Sequence, residues 1–283
     1  MHTALVTGAG SGIGRALATA LVRRGSTVVI ADLSGEAAER TAGELGPSAH
    51  AAQVDVRDRD AVRELVERTD RDHGGLDLMV NNAGTGVGGA ISTLTADHWR
   101  AQLEVNLYGV IHGIEAAYPL MRARRSGQIC STSSLSGLIP APSLGPYTTS
   151  KFAVVGLSLA LRAEAATYGV RVSVLCPGFV ETPLLDNGHM AEAPTGVKSI
   201  RPLIRAAHGR TTTPEKVAEA CLAGLRKDAP VIVAPASARF AWRAYRFAPA
   251  ITDRVVTRTA RRVLAELPTE PAQAVVSPAP TRP

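Results

Sequence analysis

Residues 3–24 read Thr3-Ala-Leu-Val-Thr7, then Gly8-Ala-Gly10-Ser-Gly12-Ile-Gly14, then Arg15 to Arg24. The first five have the length and apolar character of a buried strand. The last ten carry helical spacing, and the glycines sit where the strand must turn into the helix. Such a turn lets the backbone approach a diphosphate, and the helix N-terminus favours its negative charge. A Gly-rich run alone is only a turn. Strand, glycines and helix in this order supply the context that points to dinucleotide binding. Gly8, Ser11, Gly12, Ile13 and Gly14 form the candidate cradle.

The next segments repeat the alternation. Ser26 to Ala31 reads as a second strand ending at Asp32, 18 residues past Gly14. That is near the distance expected for an acidic residue on the adenosine ribose. A carboxylate there accepts from the 2′- and 3′-hydroxyls and repels a 2′-phosphate. Leu33 follows with no Arg or Lys beside it, so NAD is favoured over NADP. The plainer role for Asp32 is a helix cap. His50 to Val54 is a third strand, closing on Asp55-Val56. Asp55 meets the adenine amino group or caps the helix that begins near Asp58, where Val62, Leu65, Val66 and Thr69 keep helical spacing. Leu76 to Asn81 is a fourth strand, followed by Asn82-Ala83-Gly84 and a loop from Gly86 to Gly89. Asn and Gly at a strand end are common in turns, and at the C-terminal edge of a parallel sheet they also line the ligand crevice. Ala96 to Arg124 reads as long helical segments with Trp99, Leu103, Val110, Ile114, Tyr118 and Met121 on one stripe. Asn106 falls on that stripe, so its amide needs a partner or a role. It is either a satisfied core Asn or a water-holding site beside Lys151.

The chemistry gathers between Ser131 and Lys151. After the strand-like Gln128-Ile-Cys130 come Ser131-Thr-Ser-Ser134-Leu-Ser-Gly, a Pro-containing loop, and Tyr147-Thr-Thr-Ser-Lys151. Four residues apart on a helix, Tyr147 and Lys151 project from one face. A free phenol titrates near ~10 and is a poor base at neutral pH. A neighbouring ammonium lowers that value. Tyr147 can then take a proton from an alcohol or return one to a ketone. The Ser134 hydroxyl can hold the substrate oxygen meanwhile. A Tyr and a Lys at this spacing are usually a solvated pair; the glycine turn upstream is what changes the weight. Arg171 to Leu175 is a sixth strand, ending Cys176-Pro177-Gly178-Phe-Val180-Glu-Thr182-Pro183. Pro177-Gly178 carries the chain over the crevice, and Thr182 can bond a nicotinamide carboxamide. Residues 183–212 suit a mobile lid. A helix at Pro214 to Lys227 and a strand at Val231 to Ala234 complete the core.

The 283 residues suit one large α/β domain, and 45% hydrophobic content is enough for a sizeable core. Strands alternating with helices give a doubly wound parallel sheet. Three cysteines (Cys130, Cys176, Cys221) without C-x-x-C spacing fit a reduced, intracellular protein. The scattered histidines indicate no metal site. No signal peptide is visible, and no apolar run reaches ~18 residues, so a cytoplasmic location is expected. The net charge of +6 is concentrated in residues 237–266, where seven arginines face only Asp253 and Glu266. The basic pI describes that segment and not a nucleic-acid-binding body.

Across roughly residues 1–235 the chain resembles the short-chain dehydrogenase/reductase family. The resemblance rests on Thr7-Gly-x-x-x-Gly12-Ile-Gly14, Asp55-Val56, Asn81-Asn-Ala-Gly84, Asn106, Ser134, Tyr147-x-x-x-Lys151 and Pro177-Gly178, in that order. It implies a Rossmann-like sheet of about seven strands and hydride transfer with a nicotinamide cofactor. It also implies a catalytic tetrad of Asn106, Ser134, Tyr147 and Lys151. Lys151 also binds the nicotinamide ribose, Asn106 holds a water in the proton relay, and the family's spacing selects Ser134 among the neighbouring serines. Dimers or tetramers through the helices containing Trp99–Met121 and Lys151–Tyr168 are implied as well. The expected activity is NAD-dependent interconversion of a hydrophobic secondary alcohol and its ketone. Leu135, Leu138, Ile139, Leu184 and Leu185 suggest the hydrophobic substrate. The alternatives are an NADPH-dependent ketone or 3-oxoacyl reductase, and, in another class, a non-catalytic nucleotide-binding scaffold.

From residue 236 the composition changes. Phe240, Trp242, Tyr245 and Phe247 alternate with arginines, Pro249 breaks the segment, and Ile251 to Leu267 is amphipathic through Val255, Val256, Val263 and Leu264. Residues 236–267 therefore read as a basic helical extension. It either lies on an anionic membrane surface or packs Phe240, Trp242 and Val263 on a sister subunit or the lid, the latter preferred. Residues 268–283 hold five prolines and no periodicity and are expected to be disordered.

Overall fold

A computed structural model describes residues 2–186 and 211–265. Seven strands form one sheet: β1 (Thr3–Thr7), β2 (Thr27–Asp32), β3 (Ala49–Gln53), β4 (Leu78–Asn81), β5 (Gln128–Thr132), β6 (Arg171–Pro177) and β7 (Val231–Ala234). Their order is β3-β2-β1-β4-β5-β6-β7. Every pairing is parallel, as in Leu5 with Val29 and Met79, or Val80 with Cys130.

The strand sequences explain the layering. Side chains alternate between faces with period two, and here both faces are apolar, as a parallel sheet covered on both sides requires. Leu5, Val29, Met79, Ile129 and Val174 enter one core. It is covered by α3 (Arg59–Asp72), α5 (Gly109–Arg124) and α6 (Gly145–Ala166). Their neighbours Val6, Ile30, Val80, Cys130 and Leu175 enter the other. That face is covered by α1 (Gly12–Val22), α2 (Gly35–Leu45) and α7 (Pro214–Arg226). The strand order reverses direction between β1 and β4, and the crevice at such a point is where open α/β sheets bind ligands.

Some boundaries differ from the sequence expectation. β4 begins at Leu78 because the Leu76 N–H is taken by Asp70 Oδ1 (2.8 Å) and not by a ladder. β6 runs on to Pro177, which pairs in register with Ala234. Residues 96–124 are continuous, from α4 (Ala96–Leu103) through one π-helical turn (Glu104–Tyr108) into α5. The basic segment forms two helices, α8 (Ala236–Phe247) and α9 (Pro249–Ala265). The expected lid falls largely, and the Pro-rich end wholly, outside the described residues. Among the described residues no helix is long and apolar enough to cross a membrane.

Candidate active site

Every singled-out segment lies at or just beyond the C-terminal end of a strand or on a helix packed there. The glycine turn joins β1 to α1. Gly12 has φ +53°, and a Cβ on it would stand 3.2 Å from Thr182 Cγ2. A Cβ on Gly14 would stand 2.2 Å from the Gly8 carbonyl oxygen, so only glycine fits. Ser11 is the N-cap of α1, yet its side chain makes no capping bond, and the first turn carries no acidic residue. The opening N–H groups of α1 are therefore not taken by a side-chain cap. Ile13 packs against the core below.

Asp32 reaches into this turn. Its Oδ2 accepts from Gly10 N (2.9 Å) and its Oδ1 from Ser34 N (3.0 Å). The cap of α2 is Ser34, whose hydroxyl accepts from Ala37 N, so the capping role considered for Asp32 belongs to its neighbour. Leu33 beside it is 58% exposed. Asp58 likewise caps α3, and Asp55 does not. Instead both Asp55 oxygens are gripped by the Arg57 guanidinium, whose hydrogen bonds hold the carboxyl below its usual range. Val56 is buried, and its carbonyl meets His112 Nδ1 at 2.9 Å. An open depression of about 600 Å³ lies here, lined by Asp55, Arg57, Asp58, Glu104, Tyr108 and His112; no tetrad residue lines it.

Asn82 braces the strand ends. Its Nδ2 donates to the Thr7 and Gly8 carbonyls, and its Oδ1 accepts from Thr132 Oγ1. Asn82 N and Ala83 N both donate to Thr7 Oγ1. The Asn82 side chain is thus spent on holding β1, β4 and β5 together, which leaves main-chain groups and Gly84 to face the crevice. Asn106 is fully buried in the π turn. Its Oδ1 accepts from Thr85 N (2.8 Å), and its Nδ2 donates to Thr85 O (2.9 Å) and to Ser150 Oγ (3.4 Å). The satisfied-amide role is therefore met in full by the side chain. Lys151 is close by, since a Cβ on Gly84 would lie 3.4 Å from Asn106 Oδ1 and 3.6 Å from Lys151 Nζ.

The three serines separate by partner. Ser131 is paired with Asn81, Ser133 donates to the Lys151 carbonyl (2.7 Å), and Ser134, whose Oγ accepts from Ser136 N (3.1 Å), stands near the Tyr147 phenol. Lys151 is buried on α6, with Nζ donating to Thr132 O (3.0 Å) and standing 5.6 Å from the Tyr147 ring centroid. Burial pushes its ammonium down to about 8. Tyr147 is half-buried. Burial raises its phenol above the ordinary value, with nearby Ser134 working the other way. The sequence expectation was a phenol lowered by Lys151. In this protein burial sets the direction instead, because enclosure discourages charge on both groups.

Pro177 ends β6, and Gly178 N donates to Ala234 O (2.8 Å). Val180 is buried in the core and its backbone bridges to Thr212, while Thr182 comes against Gly12. Sequence reasoning missed Gln102 and Ser133. Gln102, fully buried, donates to Thr85 O (3.0 Å) and accepts from Val87 N (2.6 Å). It lies one turn before Asn106 on the same face, which is the signal that could have found it. Among the described residues no cluster of His, Cys, Asp or Glu is placed to hold a metal.

A glycine turn at a sheet's switch point, an acidic group at the end of β2 and a Ser–Tyr–Lys cluster beyond β5 make up a Rossmann-type fold with one candidate site at its switch point. The profile of the short chain dehydrogenase family matches residues 2–192. The chain belongs to that family. It is 36% identical over 234 residues to "Probable oxidoreductase EphD" of Mycobacterium tuberculosis, covering 80% of this chain but only 40% of that relative's length. It is 33% identical over 225 residues to the 3-oxoacyl-[acyl-carrier-protein] reductase FabG of Thermotoga maritima, covering 77% of this chain and 87% of the relative. A short chain dehydrogenase/reductase from Burkholderia phymatum, solved in complex with NAD, superposes with a TM-score of 0.75 at 30% identity, covering 96% of this chain and 98% of that one.

Proposed function

We propose that the chain interconverts a hydrophobic secondary alcohol and its ketone with NAD in preference to NADP, Tyr147 carrying the proton. The observation behind this reading is the buried Lys151 Nζ 5.6 Å from the Tyr147 ring centroid, with Ser134 near the same phenol. The residues fit a dinucleotide. The glycine turn leaves no room for side chains, and the first N–H groups of α1 have no side-chain cap. Gly8 and Ser11–Gly14 hold the diphosphate, Asp32 and Leu33 the adenosine ribose, and Asp55 and Val56 the adenine. Asn82, Ala83 and Gly84 line the floor. Tyr147 and Lys151 meet the nicotinamide ribose, and Pro177, Gly178, Val180 and Thr182 frame the nicotinamide. When bound, the nicotinamide supplies the hydride acceptor or donor.

The chain's own groups handle the proton. Ser134 donates to the substrate oxygen, and Tyr147 accepts the hydroxyl proton on oxidation or gives it up on reduction. Lys151 keeps its positive charge near that oxygen below about pH 8 and stabilises the phenolate as it forms. Asn106 fixes Thr85 and with it the wall beside Lys151, where a relay water has room. Asp32 disfavours a 2′-phosphate by charge.

The loops that follow β4 and β5 meet in the structure. Gly89 pairs with Leu144, and Ile91, 67% exposed, lies against Gly145. Leu135 and Leu138 pack partly on the core and Leu185 is buried, so Ile91 and Ile139 are the better candidates for apolar substrate contact. α6 leaves Phe152 and Leu159 exposed on one stripe, and Tyr108 is 52% exposed, which supports a homo-oligomer built on these helices. Three buried free thiols suit a reducing, cytoplasmic setting.

The test is a screen of a diverse alcohol and ketone panel with NAD and with NADP, following reduced nucleotide by fluorescence. Turnover of an apolar secondary alcohol with NAD is expected. NADH binding without turnover across the panel would point to a scaffold. Preference for NADPH with a 3-oxoacyl thioester would point to the activity named for the Thermotoga relative.

A further inference from the structure

Helix α8 springs from the rim of the cleft. A Cβ on Gly178 would stand 3.1 Å from the Ala238 methyl and 3.4 Å from Pro235 Cδ. The inner face of α8 is satisfied: Ala238 is buried and Trp242 packs on the main core. Trp242, expected against a sister subunit or the lid, thus packs on the chain's own core instead. The outer face is not. Phe240 is 77% exposed and Phe247 82%, with Arg239, Arg243 and Arg246 exposed between and beside them. On α9, which packs against α8, Ile251 and Val255 are exposed alongside Arg254 and Arg258.

The charge is as uneven as the hydrophobicity. Residues 236–265 hold seven arginines and one acid, Asp253, while the rest of the chain balances at 24 basic and 24 acidic residues. The whole net charge of the protein therefore sits on these two helices. We propose that the outer face of α8 and α9 docks on a bilayer surface bearing anionic headgroups, with Phe240, Phe247, Ile251 and Val255 at the acyl boundary and the arginines at the phosphates.

The composition disfavours the other occupants. A two-fold contact between copies through this face would set arginines against arginines. A nucleic acid would use the arginines and stack on the phenylalanines, but Ile251 and Val255 offer it neither stacking nor hydrogen bonds. The chain's remaining segments bring no complement: residues 187–210 carry four bases and one acid, and residues 266–283 two acids and one base. Docking beside Gly178 brings the cleft rim to the membrane, the side from which an apolar alcohol would arrive. That consequence rests on the proposed substrate class; the docking does not.

The test is sedimentation of the full chain with vesicles of equimolar phosphatidylglycerol and phosphatidylcholine, and with phosphatidylcholine alone. The protein is expected in the pellet only with the anionic vesicles at low salt, and released at ~1 M salt, where the Debye length falls to ~3 Å. Each arginine near such a surface is worth roughly fivefold in partitioning, so Arg243→Gln with Arg246→Gln should cost about thirtyfold. Phe240→Ser with Phe247→Ser should also weaken binding, with NADH binding retained as the check on folding. A wild-type protein that stays in the supernatant, or pellets equally with neutral vesicles, overturns the proposal. So does vesicle binding that survives all four substitutions, a smaller particle by light scattering in the Phe240/Phe247 variant, or tighter retention of a single-stranded oligonucleotide than of vesicles.

Discussion

Replacing Lys151 by Met should cost activity and, at neutral pH, relieve a penalty on stability. The ammonium titrates at 10.5 in the open and at about 8 in its buried place on α6. The native state therefore binds this proton more weakly than the unfolded chain does. Below about pH 8 both states are protonated and the full penalty of burying the charge is present, corresponding to about 3 kcal/mol. Between about 8 and 10.5 the unfolded chain still holds a proton that the native chain has released, so stability rises with pH across that window. Met fills a similar volume without the charge, but it leaves Thr132 O without its Nζ partner, a loss of about 1–3 kcal/mol. The wild-type minus variant difference should therefore change by about 3 kcal/mol between pH 7 and pH 10.5, in favour of wild type at the higher pH. Urea unfolding of both proteins across that range measures it, and other titrating groups cancel in the difference. A difference that does not move with pH, or moves the other way, would refute the buried-ammonium argument.

Asp32→Ala with Leu33→Arg should weaken NAD and admit NADP, by removing a repulsion and adding a phosphate partner; unchanged preference in cofactor titrations would reduce Asp32 to a brace on Gly10. Asn106→Ala should cost about 2–3 kcal/mol in urea unfolding, because Thr85 N–H is left buried without an acceptor while Gln102 still serves Thr85 O. Asn106→Asp should be no better, since a carboxylate would face Thr85 O. Gly14→Ala should abolish NADH binding or unfold the turn, its methyl falling 2.2 Å from Gly8 O; near-normal NADH affinity would show that the turn yields more easily than its packing implies.

Much of the architecture was legible because it is periodic. β1 and β2 are apolar on both faces, and α3 announces itself through Val62, Leu65, Val66 and Thr69, although its cap is Asp58 and not Asp55. Where a tertiary partner decides, the reading failed. Leu76 looks like strand, but Asp70 claims its N–H. Nothing in residues 104–108 distinguishes a π turn from an α turn before the Thr85 loop is in place. The Tyr147–Lys151 pairing was readable from spacing, whereas the direction of the Tyr147 shift is set by burial in the folded chain, which spacing does not contain. Gln102 went unnoticed because a buried amide is conspicuous only once its loop is known. The extension was read as amphipathic, and the structure divides its aromatics: Trp242 turns inward, while Phe240 and Phe247 remain outside.

The central claim is that the Tyr147 oxygen carries the proton. Tyr147→Phe keeps the ring on α6 and removes only the hydroxyl. With the best alcohol from the panel and saturating NAD, turnover of this variant should fall by ~10²–10⁴-fold while NADH affinity is retained. Turnover within a few-fold of wild type, with NADH still bound, would contradict the account.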